Sequence, residues 1–169
     1  MNTTKQDITE KSVHEALYSV MDPEIPNLSI VDLGIVRAVK VVAGAIEVEI
    51  MPTFVGCPAL EMIKEGIQER IGELAPGLPV TVRVTMEEAW TSDRITEKGR
   101  EVLKTSGFAP PVRGNMPARG NLIQLLPVAE CPYCGSRKTT LENAFGPTLC
   151  RAIYYCRECR QPFEQFKQI

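Results

Sequence analysis

Apolar residues recur at helical spacing in three stretches, which predict helices over residues 8–21, 58–74 and 93–105. The second stretch has the clearest pattern, with apolar positions three and four residues apart at Leu60, Ile63, Ile67, Ile71 and Leu74. It begins at Pro58, which suits the first helical position because its missing N–H costs nothing there. Thr9 is the expected N-cap of the first helix.

Apolar and polar residues alternate in three shorter stretches, which predict β-strands over residues 35–42, 45–51 and 79–86. The second strand is the plainest case, since its branched apolar residues alternate with glutamates. An Ala-Gly pair at residues 43–44 suits a tight hairpin turn between the first two strands. The order α-β-β-α-β-α has too few strands for a doubly wound sheet. It predicts an α+β fold, a small sheet covered by helices, across residues 1–106.

Two stretches without periodicity connect these elements. Residues 22–34 contain two prolines and a closing glycine, yet they include enough large apolar residues to predict a loop that packs against the core. Residues 107–129 are rich in glycine and proline and are predicted to form a linker. A second, smaller domain is then expected over residues 130–169.

The composition indicates where such a chain works. Apolar residues make up 44% of the sequence and charged residues 24%, which is typical of a soluble globular protein. There is no apolar run of about eighteen residues, and residues 1–10 lack the apolar segment of a secretory signal. We therefore expect a cytoplasmic protein. Its six cysteines are expected to stay reduced, as metal ligands or reactive thiols rather than disulfides.

Four cysteines near the C-terminus form two C-x-x-C pairs, Cys131 with Cys134 and Cys156 with Cys159. Each pair predicts a tight turn that directs two thiolates at one centre, and two such turns give the tetrahedral sulfur cage that Zn²⁺ prefers in structural sites. A segment of about forty residues buries too little surface to fold alone. Metal binding would add about 10 kcal/mol or more of folding free energy. The pattern therefore predicts a structural zinc ribbon.

Two alternative functions of this ribbon stay open at the level of the sequence. Four thiolates also bind iron, so a rubredoxin-like electron-transfer site is the first alternative. Nucleic-acid binding is the second, because from Arg113 onwards eight basic residues stand against four acidic ones in a chain of net charge −2. Four thiolates with one Zn²⁺ carry a combined charge of about −2, which weakens that second alternative. Cys150, a fifth thiol in the segment, is interpreted as a buried apolar residue, with an extra metal ligand as the alternative.

Cys57 lies between the second strand and the second helix. A thiol just before a helix is close to the positive end of the helix dipole and to free backbone N–H groups, and both favour the thiolate. The thiolate is the form that binds metals or attacks electrophiles. Thr53, Asp22 and Glu24 are the other residues expected to line this site. The alternative is a buried cysteine without a chemical role.

The remaining residues provide no common catalytic arrangement. His14 is the single histidine and is expected on the surface of the first helix, which argues against a Ser-His-Asp or Cys-His site. Neither a glycine-rich phosphate loop nor a dinucleotide-binding fingerprint is present in the sequence. The sequence therefore indicates a non-catalytic protein.

Three motifs carry a family resemblance: D-P-E-I-P at residues 22–26, I-V-D-L-G-I-V at 30–36 and P-T-x-x-G-C-P at 52–58. Together they resemble the metal-sulfur cluster assembly domain family. Further matches are A-W-T-S-D-R-I-T-E-K-G-R at residues 89–100, G-F-A-P-P at 107–111, the cysteine ribbon and F-E-Q-F-K at 163–167. These resemble one branch of that family, the D component of phenylacetyl-CoA epoxidase, also called phenylacetate-CoA oxygenase.

The resemblance implies a compact α/β fold and an accessory role in a multicomponent enzyme of aerobic phenylacetate degradation. In that role the protein would help to mature an iron or iron–sulfur cofactor. The implied partners are the reductase, which carries flavin and an iron–sulfur cluster, or the diiron oxygenase subunit, and a homodimer is compatible with the family. The motif cysteine of the family corresponds to Cys57 and its motif acids to Asp22 and Glu24, which implies transient binding of iron or a cluster there.

Overall fold

The structure is a computed structural model that describes residues 8–42, 44–113 and 128–168. Its helices are α1 (Glu10–Leu17), α2 (Leu60–Leu74) and α3 (Glu97–Thr105). Its strands are β1 (Val36–Val42), β2 (Ala45–Ile50), β3 (Val80–Val84), β4 (Phe108–Ala109), β5 (Thr139–Asn143), β6 (Arg151–Cys156) and β7 (Pro162–Phe166). None of the helices in these described stretches is long and apolar enough to cross a bilayer.

The first sheet has the strand order β1-β2-β3 and confirms the predicted α+β class. Strands β1 and β2 pair antiparallel, while β2 and β3 run parallel because α2 connects them. The alternating residues Ile46, Val48 and Ile50 of β2 are fully buried, as their period of two predicts. The predicted hairpin is confirmed by the pairing of Val42 with Ala45, although Ala43 itself lies outside the described residues.

The helices begin later than the sequence pattern predicts. Thr9 caps α1 as expected, since its side chain accepts a hydrogen bond from the Ser12 N–H at 3.1 Å. The predicted start of α2 at Pro58 is wrong, because Ala59 is the N-cap and the residues before it form turns. The predicted third helix over residues 93–105 also starts too early. Its first part is a short 3₁₀ turn, and Thr96 caps α3 by accepting from the Gly99 N–H at 3.0 Å.

The loop over residues 22–34 packs against the core, as its apolar content predicts. Ile25, Leu28, Ile30 and Leu33 are at most 2% exposed. The loop ends at Gly34, whose φ of +77° is left-handed and whose Cβ position would lie 2.5 Å from the Arg94 carbonyl oxygen. Only glycine fits there without strain. The loop is therefore a fixed part of the structure, and its motif acids have defined positions.

The second sheet has the strand order β4-β7-β6-β5 and contains the C-terminal cysteines. Its edge strand β4 comes from the start of the predicted linker and pairs parallel with β7, while residues 114–127 lie outside the described residues. Phe166 of β7 is 2% exposed and packs edge-on against Trp90, with 5.8 Å between the ring centroids. The ribbon thus shares a hydrophobic core with the first domain.

Candidate metal centre and thiol cavity

The four ribbon cysteines converge on one point. A distance of 3.6 Å separates the Sγ atoms of Cys131 and Cys159, and the same distance separates those of Cys134 and Cys156. All four sulfur atoms lie within 4.8 Å of one another. A tetrahedral Zn²⁺ site with Zn–S bonds of about 2.3 Å requires sulfur separations of about 3.8 Å. The sulfur positions therefore fit a closed, four-coordinate metal site.

Two matching turns hold these cysteines. The Gly135 N–H donates to the Cys131 carbonyl, and the Arg160 N–H donates to the Cys156 carbonyl, both at 2.9 Å. Gly135, directly after the first pair, has a φ of +72°, which glycine adopts without strain. Arg160 occupies the same position after the second pair with a φ of +61°, which the sequence does not reveal because arginine rarely adopts it.

The sulfur atoms already differ in acidity before a metal binds. Backbone N–H groups of Cys159 and Glu158 lower the pKa of Cys156 to about 7. Burial, with help from the neighbouring thiols, raises the pKa of Cys159 to about 12. Four thiolates repel one another in so small a space, and a bound dication compensates that repulsion. The four sulfur atoms therefore form a site that suits a bound cation.

Cys57 lies in the turn between β2 and α2, two residues before the helix N-cap, and its side chain is half-buried. Burial raises the pKa of this thiol, and the charges of Glu24, Cys150 and Asp22 act in the same direction. The Ala59 backbone N–H opposes them with a smaller effect. Burial and negative neighbours therefore act against the thiolate that the position before the helix favours.

An open cavity of about 310 Å³ lies beside Cys57. One wall is the turn over residues 53–58, which includes the predicted site residue Thr53, and the other is the ribbon segment over residues 145–150. Cys150 ends that second segment and is 9% exposed, so its interpretation as a buried residue is confirmed. Its position facing the same cavity as Cys57 cannot be read from the sequence, because 92 residues separate the two along the chain.

The two motif acids have different structural roles. The Asp22 carboxylate accepts hydrogen bonds from the backbone N–H groups of Glu24 and Ile25, both at 2.8 Å, and so fixes the turn of the loop. Glu24 itself lines the cavity. Asp22 is not in the cavity wall, but its charge acts on both Cys57 and Cys150. The structure thus brings three of the four predicted residues, Cys57, Thr53 and Glu24, to one cavity.

Arg151 joins the ribbon to the motif loop, a role that sequence reasoning missed. Its guanidinium lies 3.2 Å from the Glu24 carboxylate and 3.0 Å from that of Glu164, and it also donates to the Glu24 carbonyl at 3.1 Å. The side chain is 9% exposed. An arginine in an apolar strand is a signal of a buried ion pair, but its partners lie far away in the sequence. This contact fixes the cavity wall that carries Cys150.

Large apolar side chains are exposed in the two segments that form the cavity walls. Val55 is 79% exposed, Phe145 is 67% exposed and Leu149 is 52% exposed. Phe145 and Leu149 line the cavity from the ribbon wall, while Val55 belongs to the turn that holds Cys57 but does not line the cavity. Apolar side chains clustered in this way are typical of surfaces that contact another protein.

Two family models match this chain. The PaaD zinc beta ribbon domain matches residues 118–167, and the iron-sulfur cluster assembly protein family matches residues 10–86. The chain is 40% identical to the putative D component of the 1,2-phenylacetyl-CoA epoxidase of Escherichia coli strain K12 over 166 residues, or 96% of each chain. It is 32% identical to a Fe-S protein maturation auxiliary factor of Porphyromonas gingivalis over 59% of this chain and 92% of that protein.

A crystal structure of a DUF59 domain from Bacillus anthracis has a similar fold, with a TM-score of 0.52 and 24% identity over 56% of this chain and 90% of that one. This similarity supports the fold of the first domain. The epoxidase relative covers both domains, together with the four-cysteine ribbon described above. The chain therefore belongs to the family of phenylacetyl-CoA epoxidase D components, in which an iron–sulfur assembly domain is followed by a zinc ribbon.

Proposed function

We propose that this protein is a non-catalytic accessory factor that helps to load iron or an iron–sulfur cluster into the phenylacetyl-CoA epoxidase during aerobic phenylacetate degradation in the cytoplasm. The observation that carries the proposal is the pairing of two different sulfur sites in one chain. The ribbon cysteines form a closed cage, whereas Cys57 lies in an open cavity with carboxylate and hydroxyl neighbours. A closed cage retains its metal, and an open site can pass metal on.

Cys57 has the properties of a transient ligand. A single soft thiol accompanied by the oxygen atoms of Glu24 and Thr53 is a weaker donor set than four thiolates. Burial raises the pKa of this thiol, so metal binding has to displace its proton, which lowers the affinity further. Iron or a cluster is therefore cargo at this site, and the residues present fit its temporary binding.

The ribbon metal is proposed to be structural Zn²⁺. The sulfur separations match its tetrahedral geometry, and Cys156 of the cage is the last residue of β6. Elemental analysis of the purified protein tests this assignment, which requires one zinc per chain and no visible absorption from the ribbon. One iron per chain with the colour of a rubredoxin would instead support electron transfer.

Nucleic-acid binding receives less support from the described part of the ribbon. Arg151 is buried between two carboxylates, and Lys138 pairs with Glu158 at 2.7 Å. Both cations are thus engaged within the protein. Phosphate binding requires free cations arranged along one surface.

The apolar residues around the cavity are the proposed contact surface for the client. Phe145 and Leu149 are exposed on the ribbon wall of the cavity and Val55 on the turn that carries Cys57, so a client protein docked on all three would cover the cavity. A covered mouth excludes water from the metal while it moves between proteins. The client is proposed to be the reductase or the diiron oxygenase subunit, and a homodimer through the same surface would have to open first.

The test is to replace Cys57 by Ser in cells that produce the epoxidase, and to measure iron and acid-labile sulfide in the isolated reductase and diiron oxygenase. We expect one of these clients to lose most of its metal, because serine is a poor ligand for iron. A loss confined to iron and sulfide in the reductase would identify a cluster client. A loss of iron alone from the oxygenase would identify the diiron client.

Met62→Ala is the matched control, since Met62 is an exposed residue of α2 outside the cavity. Both variants should keep their zinc and their thermal stability. Full metal content in both clients of Cys57→Ser cells would contradict the proposed function.

A further inference from the structure

We infer that Cys150 is a second ligand of the Cys57 site, so that the two domains together form a dithiol site for one thiophilic divalent metal ion such as Fe²⁺. This inference rests on the proposed function and extends it. The four cage cysteines are all engaged with one another, whereas Cys57 and Cys150 are the remaining cysteines and both line the same cavity.

The two cysteines line the cavity from its two walls, on backbone segments that hydrogen bonds hold in place. The Cys57 turn is closed by the Cys57 N–H, which donates to the Phe54 carbonyl, and by the Leu60 N–H, which donates to the Cys57 carbonyl, both at 3.2 Å. The Cys150 carbonyl accepts from the Lys167 N–H at 2.8 Å, and the Thr148 hydroxyl lies 3.1 Å from the Cys150 sulfur. The fold therefore holds the backbone of both cysteines in place before any ligand arrives.

The ribbon wall is shaped closely around this arrangement. The Gly146 N–H donates to the Arg151 carbonyl at 2.9 Å, and a Cβ on Gly146 would lie 2.9 Å from the Arg151 Cβ. Arg151 in turn holds Glu24 at the cavity. The Arg151–Glu24 ion pair therefore holds both the ribbon wall and the Glu24 carboxylate in position at the cavity.

Cys150 cannot belong to the ribbon cage. It precedes the first residue of β6, while Cys156 of the cage is the last residue of that strand. The rise along a strand places these two cysteines about 20 Å apart. Cys150 therefore serves the cavity beside Cys57 or has no ligand role at all.

The donor groups around the cavity suit a cation. The negative charges of Glu24 and Asp22 act on both Cys57 and Cys150, and Cys150 acts on Cys57 as well, while the positive charge of Arg151, which pairs with Glu24, opposes them at Cys150. A divalent ion would turn this mutual repulsion into attraction. Binding forms two metal–sulfur bonds and releases two protons to the solvent, with no change of oxidation state. Two protein thiolates leave further coordination positions open towards the mouth of the cavity, where a client ligand can enter.

The first experiment is an anaerobic Co²⁺ titration of the zinc-loaded full-length protein, followed by sulfur-to-cobalt absorption. We expect the wild type to bind one Co²⁺ beyond its zinc. Cys57→Ser and Cys150→Ser should each weaken that binding by at least about tenfold, because even residues that only support a ligand act on this scale. Met62→Ala should bind Co²⁺ like the wild type.

The pattern of losses separates this inference from the proposed function. If Cys150→Ser binds Co²⁺ like the wild type while Cys57→Ser does not, Cys150 is no ligand and the inference is overturned, although Cys57 keeps its proposed role. If the wild type binds no Co²⁺ beyond its zinc, the dithiol site is overturned as well. Client loading in Cys57→Ser cells then decides the function independently.

A second measurement needs no variant and so does not depend on how Cys150→Ser folds. Phenylarsine oxide reacts with two neighbouring thiols to form two arsenic–sulfur bonds, and its oxygen leaves as water without any oxidation. The zinc-loaded wild type should take up one reagent that links the Cys57 and Cys150 peptides in a digest analysed by mass spectrometry. Protein that gives no such linked pair would overturn the inference.

Discussion

At the residue scale, the carboxylate of Asp22 organises the loop that carries Glu24. It accepts two backbone hydrogen bonds of 2.8 Å, and burial raises its pKa above the usual value for an aspartate. The sequence alone identifies Asp22 as a motif residue but cannot separate a turn-forming role from a ligand role. That distinction depends on which N–H groups its oxygen meets.

Replacing Asp22 tests the turn-forming role. Asp22→Ala should reduce the free energy of unfolding by about 1–2 kcal/mol, as the loss of a comparable helix cap does, because two N–H groups lose their acceptor. Asp22→Asn keeps an acceptor oxygen and cannot ionise, so its stability should be close to that of the wild type. Urea denaturation of the three proteins checks this order. Equal losses in both variants would show that the negative charge matters more than the hydrogen bonds.

The two cysteine turns allow a second test at the residue scale. Arg160 has a positive φ, which costs a non-glycine residue free energy that glycine avoids. Arg160→Gly should therefore stabilise the zinc-loaded ribbon by about 0.5–1 kcal/mol. Gly135→Ala at the matching position of the first turn should destabilise it by a similar amount. Thermal melts would contradict this account if Arg160→Gly and Gly135→Ala shifted the melting temperature in the same direction.

At the scale of elements, the sequence predicts periodic segments well and their ends poorly. Ile46, Val48 and Ile50 are buried as their alternation requires, and α2 buries Ile63, Ile67 and Ile71. The starts of α2 and α3 are misplaced because capping and 3₁₀ turns depend on local hydrogen bonds rather than on apolar periodicity. The sequence does not predict β4 either, because a strand of two residues is too short to show an alternating pattern.

The Arg151 ion pairs connect two elements, and their removal should loosen that connection. Arg151→Ala should lower the free energy of unfolding by about 2–3 kcal/mol, somewhat less than for a fully buried pair, because Glu24 and Glu164 remain partly exposed. Arg157→Ala is the matched control, since Arg157 is an exposed ribbon arginine. Denaturant titration measures the free energy of unfolding of Arg151→Ala and of Arg157→Ala against the wild type. A loss in Arg151→Ala no larger than that of the control would contradict the role assigned to this contact.

At the scale of the whole molecule, the two domains pack against each other, because the ribbon contributes Phe166 and Cys150 to the core of the first domain. Phe166 packs on Trp90, and Cys150 lies beside the Cys57 turn. The sequence predicts both domains and the four cage cysteines from local patterns. It cannot predict their contact, since that contact joins residues far apart in the chain. The Cys57–Cys150 cavity is a consequence of this contact alone.

Trp90 is the single tryptophan and therefore reports on that contact. It is 3% exposed, and its indole N–H donates to the Leu33 carbonyl at 3.1 Å. Removal of the ribbon metal with a strong chelator should unfold the ribbon, release Phe166 and shift Trp90 emission to longer wavelength. Restoring zinc should reverse the shift. Unchanged emission after complete zinc release would show that the domain contact does not depend on the metal.

The whole molecule is proposed to hold a permanent metal in the ribbon and transient iron at a separate site around Cys57. The most direct measurement is zinc, iron and acid-labile sulfide per chain, in wild type and Cys57→Ser purified without air from cells that produce the epoxidase. We predict one zinc in both proteins and iron, with or without sulfide, in the wild type alone. Zinc alone in both proteins would contradict iron handling at Cys57.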